Sequence, residues 1–340
     1  MPGLKRGWCP TLDRPMASGD GLLVRVQPRR ATLSPGAARV LAEASARFGN
    51  GIMELTQRGN IQLRGLRDGT VGPFAAAMEA VEIPSPGPLL VPPLLGVDPG
   101  MDPRTEAVVA ALERAFATDA RLAGLPGKFA VAVDGGGLLG GRAVAADLVA
   151  FADGRLIGAV RGDLGVPVGL LRVAGPHPGP FPEGEGTGMP APLRSPYALA
   201  PPFAQFDAGM LHDLADLAAC FGTTIRVTPW RALLLAAVTG PIPPDPRWIT
   251  DPADPRLLVS ACIGAAGCLR GTTPTRADAA RLRPHTPVHV SGCIKGCAHP
   301  GPAPITLVGR DGCYDLVRNG RAADTPAETG LTLEAILDNA

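Results

Sequence analysis

The chain has 340 residues, 46% of them hydrophobic and 19% charged, enough apolar material for a large core and more than one domain. Its 32 Lys and Arg stand against 31 Asp and Glu, a net charge of +1, which excludes the strongly basic footprint of a nucleic-acid binder and an acidic disordered tail. No apolar run reaches the roughly 18 residues of a membrane span, and the start MPGLKRGWCPTLDRP lacks a secretory apolar stretch, so a cytoplasmic protein with no nucleic-acid or membrane partner is expected.

Residues 20–27 (DGLLVRVQ) alternate around an apolar centre and predict a strand. Ser34-Pro35 then opens a helix that Gly49 closes. Residues 51–55 and 60–66 predict two strands around Thr56-Gln57-Arg58-Gly59. A Pro-rich stretch (84–99) leads to a second amphipathic helix over 103–118. Strands are expected at 128–134, 145–151 and 155–161, with Gly135–Gly141 as a turn-rich insert. Those glycines lack the spacing of a dinucleotide fingerprint, so NADH is not expected to bind directly. The Gly- and Pro-rich stretch 174–192 predicts a linker. After it the first pattern returns. Asp207 caps a helix to Phe221, Gly222 stops it, and IRVTPWRALLLAAV (225–238) matches MELTQRGNIQLRGL (53–66). A repeat at about 172 residues implies two similar halves with a pocket where they meet.

Seven cysteines in a chain without a leader argue against a disulfide framework. Four of them form Cys262-x5-Cys268 and Cys293-x3-Cys297. Four thiolates from two glycine-rich loops suit a cubane iron–sulfur cluster. Structural zinc, which favours closer spacing, and unrelated buried thiols are the alternatives. Cys9, Cys220 and Cys313 read as small hydrophobes. His299 lies two residues after Cys297, where it could tune a cluster, bind a second metal or serve a surface role.

The cysteine pattern, with TQRGNIQLRG (56–65) upstream and Leu125-Pro126 before the strand 128–134, resembles the nitrite/sulfite reductase family over about residues 18–320. The resemblance implies an α+β, pseudo-twofold duplicated fold with two ferredoxin-like half-domains (15–75 and 195–242). It also implies two α/β cluster- and tetrapyrrole-binding domains (84–172 and 250–325), with a linker at 173–194 between the halves. It implies a [4Fe–4S] cluster on Cys262, Cys268, Cys293 and Cys297, with Cys297 as the bridge to sirohaem in the reductases. Arg58 matches one arginine and Lys128 the first lysine of the family's oxyanion cage. The second lysine is replaced by Ala130, the other arginine has no match in 84–99, and Lys295 stands near an asparagine of the second cysteine motif. A sulfite or nitrite anion needs that charge, so a sirohaem-dependent sulfite or nitrite reductase is kept as the alternative.

The segments RGWCP, SACIGAAGCLRG (260–271) and HVSGCIKGCAHPGPAPITLVGRDG (289–312) are more similar to a branch of the family that takes precorrin-3A as substrate. That branch hydroxylates C20 with dioxygen, and an acetate side chain closes a γ-lactone in aerobic cobalamin biosynthesis. The resemblance implies a non-haem iron beside the cluster, NADH as the ultimate reductant, and an external electron-donor protein. Arg58 and Lys128 are the candidate catalytic residues. Arg58, Asn60, Gln62, Arg64, Arg226, Arg231 and Lys295 are the candidate tetrapyrrole-binding residues, since planar guanidinium groups suit peripheral carboxylates. His289 and His299 are possible iron ligands without a recognised spacing.

Overall fold

The computed structural model describes residues 9–141, 144–158 and 195–338. The first half runs β1 (Met16–Ser18), β2 (Gly21–Val26), β3 (Thr32–Leu33), α1 (Pro35–Phe48), β4 (Ile52–Leu55), β5 (Ile61–Leu66) and α2 (Asp68–Ala80). There follow β6 (Leu89–Leu90), α3 (Thr105–Thr118), β7 (Val131–Asp134), β8 (Leu148–Phe151) and β9 (Leu156–Gly158). The second half repeats the order with β10 (Ser195–Leu199), β11 (Gln205–Asp207), α4 (Ala208–Cys220), β12 (Ile225–Val227) and β13 (Leu233–Val238). It ends with β14 (Val259–Ala261), α5 (Thr275–Ala279), β15 (Val288–Ser291), β16 (Ala303–Arg310), β17 (Cys313–Gly320), β18 (Glu328–Leu331) and α6 (Leu333–Leu337). The linker expected at 173–194 lies outside the described residues.

The local signals act as their chemistry suggests. Ser34 Oγ accepts from the Ala37 amide at 3.1 Å, and Asp207 accepts from the Met210 amide at 2.8 Å. Gly222 ends α4 at φ +58°, the left-handed conformation glycine adopts without strain. Gly49 ends α1 for another reason. Its φ is negative, and a Cβ there would press on the Arg64 carbonyl oxygen at 2.5 Å. Helix α2 is a correction to the element order, because nothing in Asp68-Gly69-Thr70-Val71-Gly72-Pro73 reads as helical.

The two halves exchange strands. One sheet has the order β1-β2-β5-β4-β11 and the other β10-β13-β12-β3. Thus β11 of the second half pairs with β4, and β3 of the first half pairs with β12. The registers correspond: Phe206 faces Met53 as Leu33 faces Ile225. The backbone repeats even its unusual residues, with left-handed Arg30-Ala31 recurring as Phe203-Ala204. Both sheets and α1 and α4 share one core, in which Leu33, Leu41, Met53, Ile61, Phe206, Leu211 and Ile225 are closed to water.

The other two sheets also correspond. In β6-β7-β8-β9 and in β14-β15-β16-β17 the first three strands are parallel and the fourth is antiparallel. A helix links the first two strands of each, α3 in one and α5 in the other. The protein is therefore an α+β molecule built twice over, as expected.

Candidate functional site

Open parallel sheets place ligands beyond the carboxyl ends of their strands. Cys262 follows β14 directly, and Cys293 and Cys297 lie in the turn after the adjacent β15. The two loops close on each other through glycines. A Cβ on Gly292 would sit 3.0 Å from Gly264 Cα, and one on Gly271 would enter the Gly264 backbone. Gly264 itself has φ +59°. The Gly292 amide donates to Cys262 Sγ at 3.1 Å, and Thr275 Oγ1 holds the Cys262 carbonyl at 2.5 Å.

Cys297 lies within electrostatic reach of Cys262, Cys293 and Cys268. Burial, reinforced by Cys262, Cys293 and Cys268, pushes the Cys297 thiol up to about 11, against an opposing pull from Lys295. Cys297 is nevertheless exposed at its surface while the other three are half-buried, as for a thiol on the wall of a cleft. No three His, Cys, Asp or Glu side chains among the described residues converge on a single-ion geometry. A cubane spreads its four sulfur ligands wider than one ion does, and the glycine-lined loops suit that bulk.

Each cysteine loop is clamped by an arginine from the exchanged sheets. Arg64 is 4% exposed and donates to the Gly267 carbonyl at 2.7 Å. It also bonds to Asp20 at 2.8 Å, Glu54 at 3.2 Å and Ser18 at 2.7 Å. Gln62 donates to Glu54 at 2.5 Å and accepts from Arg25 at 2.9 Å. The polar atoms of Arg64 and Gln62 bond within an internal network that supports the first cysteine loop. Burial would raise the Glu54 carboxyl, but Arg276 and Arg64 outweigh it and hold it below the usual carboxylate range. Arg276 of α5 bonds to both Glu54 and Gln205 and ties the cysteine-bearing layer to both halves. The sequence signal for Glu54 was a lone acid in an apolar strand. Nothing local announced Arg276.

The repeat extends to the hairpins beside these strands. Thr56 Oγ1 accepts from the amides of Arg58 and Asn60, and Thr228 Oγ1 accepts from those of Trp230 and Ala232. Arg58 reaches the Lys128 carbonyl, and Arg231, at φ +59°, reaches the Ala298 carbonyl at 2.8 Å. Arg231 thus supports the second cysteine loop. Lys128 is half-buried and its ammonium makes no ion pair among the described residues. Asn60 is 2% exposed with its carbonyl oxygen unpartnered. Lys295 is exposed between Cys293 and Cys297.

Arg58 also lines a cleft of about 670 Å³ between α3, the Pro-rich stretch at 84–91 and the turns at 27–31 and 227–229, a size suited to a large organic ligand. Arg29, Arg30 and Arg114 share that wall. Arg30 pairs with Glu113 and Glu106. Arg29 and Arg114 make no ion pair among the described residues, and no sequence motif marked them. Arg226 lies on β12 next to the lining residue Val227, and it bonds to Thr32, next to the lining residue Ala31. It is 9% exposed, and among the described residues its side-chain partners are hydroxyls, Thr32 at 2.5 Å and Thr224 at 3.2 Å; burial lowers its pKa.

On β15, His289 is closed to water and neither ring nitrogen has a hydrogen-bond partner among the described residues. Burial, with His299 and Arg231 nearby, pushes it down to about 4, so it is a neutral imidazole at neutral pH.

The nitrite/sulfite reductase ferredoxin-like half domain matches residues 14–81. A precorrin-3B synthase from Sinorhizobium sp is 32% identical, over 96% of this chain and 86% of its own length. The solved structure of Mycobacterium tuberculosis NirA superposes with a TM-score of 0.60 at 17% identity, covering 93% of this chain and 79% of NirA.

Proposed function

The chain belongs to the precorrin-3B synthase family, and on that premise we propose that it hydroxylates precorrin-3A at C20 with dioxygen, a ring acetate then closing the γ-lactone. One oxygen atom enters the product and the other leaves as water. Two electrons and one proton come ultimately from NADH through a separate donor protein, and the second proton comes from solvent. A [4Fe–4S] cluster on Cys262, Cys268, Cys293 and Cys297 and a non-haem iron supply the electron relay and oxygen activation when bound.

This chain's own part is to bind and orient. The Arg29, Arg58 and Arg114 wall, with Arg226 next to the lining residue Val227, suits a polycarboxylated ring. Asn60 has an orphaned acceptor for a pyrrole N–H. Lys128 would neutralise a substrate carboxylate. Orientation confines the oxidant to one meso carbon.

The observation that favours oxygenation over oxyanion reduction is Ala130. It is closed to water and its amide is bonded to Asp147 at 2.9 Å. A residue of the reductases' second-lysine position therefore offers no cation here, and the six-electron reduction of a small oxyanion needs that charge.

The test is anaerobic reconstitution, then one turnover with precorrin-3A, reductant and ¹⁸O₂, read by mass spectrometry. One labelled oxygen at C20 with the lactone is the expected product. Sirohaem uptake with sulfite or nitrite turnover, and no oxygenated product, would replace this reading with the reductase.

A further inference from the structure

We propose that the two cysteine loops form a docking surface for an acidic one-electron donor protein, centred on Leu269, Arg270, Ile294 and Lys295. The proposal rests on the reading of Cys262, Cys268, Cys293 and Cys297 as cluster ligands. It deepens the oxygenase reading, which calls for a separate donor, by naming where that donor binds and the charge it carries.

A repeated tetrapeptide is the starting point. Cys268-Leu269-Arg270-Gly271 in the first loop is matched by Cys293-Ile294-Lys295-Gly296 in the second. Each is a cysteine, an aliphatic residue, a cation and a glycine. Leu269 is 82% exposed and Ile294 63%, more than any other large apolar side chain among the described residues. Single exposed leucines are ordinary on a protein surface. Two aliphatic side chains that each follow a cysteine of one site, rimmed by charge, mark a contact surface. The glycines bring the loops together: a Cβ on Gly292 would sit 3.2 Å from Gly271 Cα. Leu269 and Ile294 each lie two residues from that contact, so they project from adjoining turns.

Charge selects the partner. Between Asp254 and Asp311 the chain carries seven Lys and Arg and one acid, Asp278, which accepts from the Tyr314 hydroxyl at 2.5 Å. Arg256, Arg276, Arg281 and Arg310 are taken up in ion pairs. Arg270 and Lys295 are exposed and make no ion pair among the described residues. Residues 262–272 and 292–302 contain no acid. The whole chain is nearly neutral, at +1, so this positive field is local to the cysteine loops and steers an acidic surface toward them. An apolar centre with a charged rim is the anatomy of a protein interface.

A tetrapyrrole in the arginine-walled cleft leaves this patch uncovered, because none of its four residues lines that cleft. The position suits electron entry. Electron transfer slows steeply with distance, and a partner seated on Leu269 and Ile294 rests on the residues directly after two of the cysteines. One electron leaves the donor's centre, which is oxidised, and enters the cluster, which is reduced. No covalent bond changes in that step.

The test uses the full chain with its reconstituted cluster and an acidic [2Fe–2S] ferredoxin as the donor. Photoreduced deazaflavin, a small neutral reductant, is the control. Stopped-flow absorbance follows cluster reduction, and calorimetry measures the complex with oxidised ferredoxin. Arg270→Glu and Leu269→Ser should each weaken the complex and slow reduction by ferredoxin about tenfold or more. Reduction by deazaflavin and acid-labile sulfide should not change. Added salt should weaken the wild-type complex more than that of Arg270→Glu. Arg270→Glu decides the matter if Leu269→Ser fails to load a cluster. No complex with the wild type, an undiminished complex in cluster-loaded Arg270→Glu, or an equal loss of rate with deazaflavin would overturn the proposal. Weakened precorrin-3A binding in the variants with ferredoxin affinity retained would also overturn it and assign the patch to the substrate. Patch-dependent reduction in a protein that transfers no oxygen to precorrin-3A upholds the surface and counts only against the oxygenase reading.

Discussion

A carboxylate in the middle of an apolar strand needs cationic partners, and Glu54 has two, Arg64 and Arg276. Removing one member of a buried charge network costs on the order of 3–5 kcal/mol, because the others stay buried. Glu54→Gln should therefore lower the urea midpoint of unfolding at neutral pH. The sign of the pH dependence follows from the depressed carboxyl. Its contribution is present above the usual carboxylate range and is lost as pH falls through the lower folded-state value. The wild type should lose stability on acidification below about pH 4.5 more steeply than Glu54→Gln. Equal slopes would show that the pair carries no pH-linked stability. At the cleft, Arg29→Ala and Arg114→Ala should each weaken tetrapyrrole binding by roughly tenfold or more, the size of a lost charge-assisted contact. Titration followed by the ligand's absorbance measures this, and sulfide content should not change.

At the scale of elements, the cysteine loops depend on backbone contact that only glycine permits. Gly271→Ala would drive its Cβ into the Gly264 backbone, and Gly264→Ala would add a strained left-handed residue. Both variants should keep the far-UV circular dichroism of the wild type and lose most of their acid-labile sulfide on reconstitution. Normal sulfide content in either would show that the loops have slack. The arginine clamps act on the same elements from outside. Arg64 and Arg231 fit the pattern of exposed strand or hairpin arginines in sequence, yet each donates to a carbonyl within or just after a cysteine loop. Their partners are some 200 and 67 residues away along the chain, beyond the reach of any local pattern.

For the whole molecule, the decisive feature is strand exchange. The first half needs β11 to complete its sheet, and the second needs β3. The helices α1 and α4 close the same core from both halves. Residues 1–158 expressed alone should therefore lack a cooperative unfolding transition and bind a hydrophobic dye. Cooperative melting of that fragment would show that the halves are independent. No helix of the described residues is long and apolar enough to cross a membrane.

The sequence by itself determined the strands, the capped helices, the repeat and the cysteine spacing. Those signals are local: a serine oxygen facing its own amide, alternation across one strand, and two short loops of fixed length. It missed α2, where glycines and Pro73 disguised a helix, and it held no sign of the bonds that Arg64, Gln62 and Arg231 make within the protein. Tertiary structure alone decided the strand exchange, the Glu54–Arg276 link, the arginine wall of the cleft and the packing of His289 beside His299. A charged or polar side chain takes its role from whichever group lies opposite it, and here that group comes from distant parts of the chain.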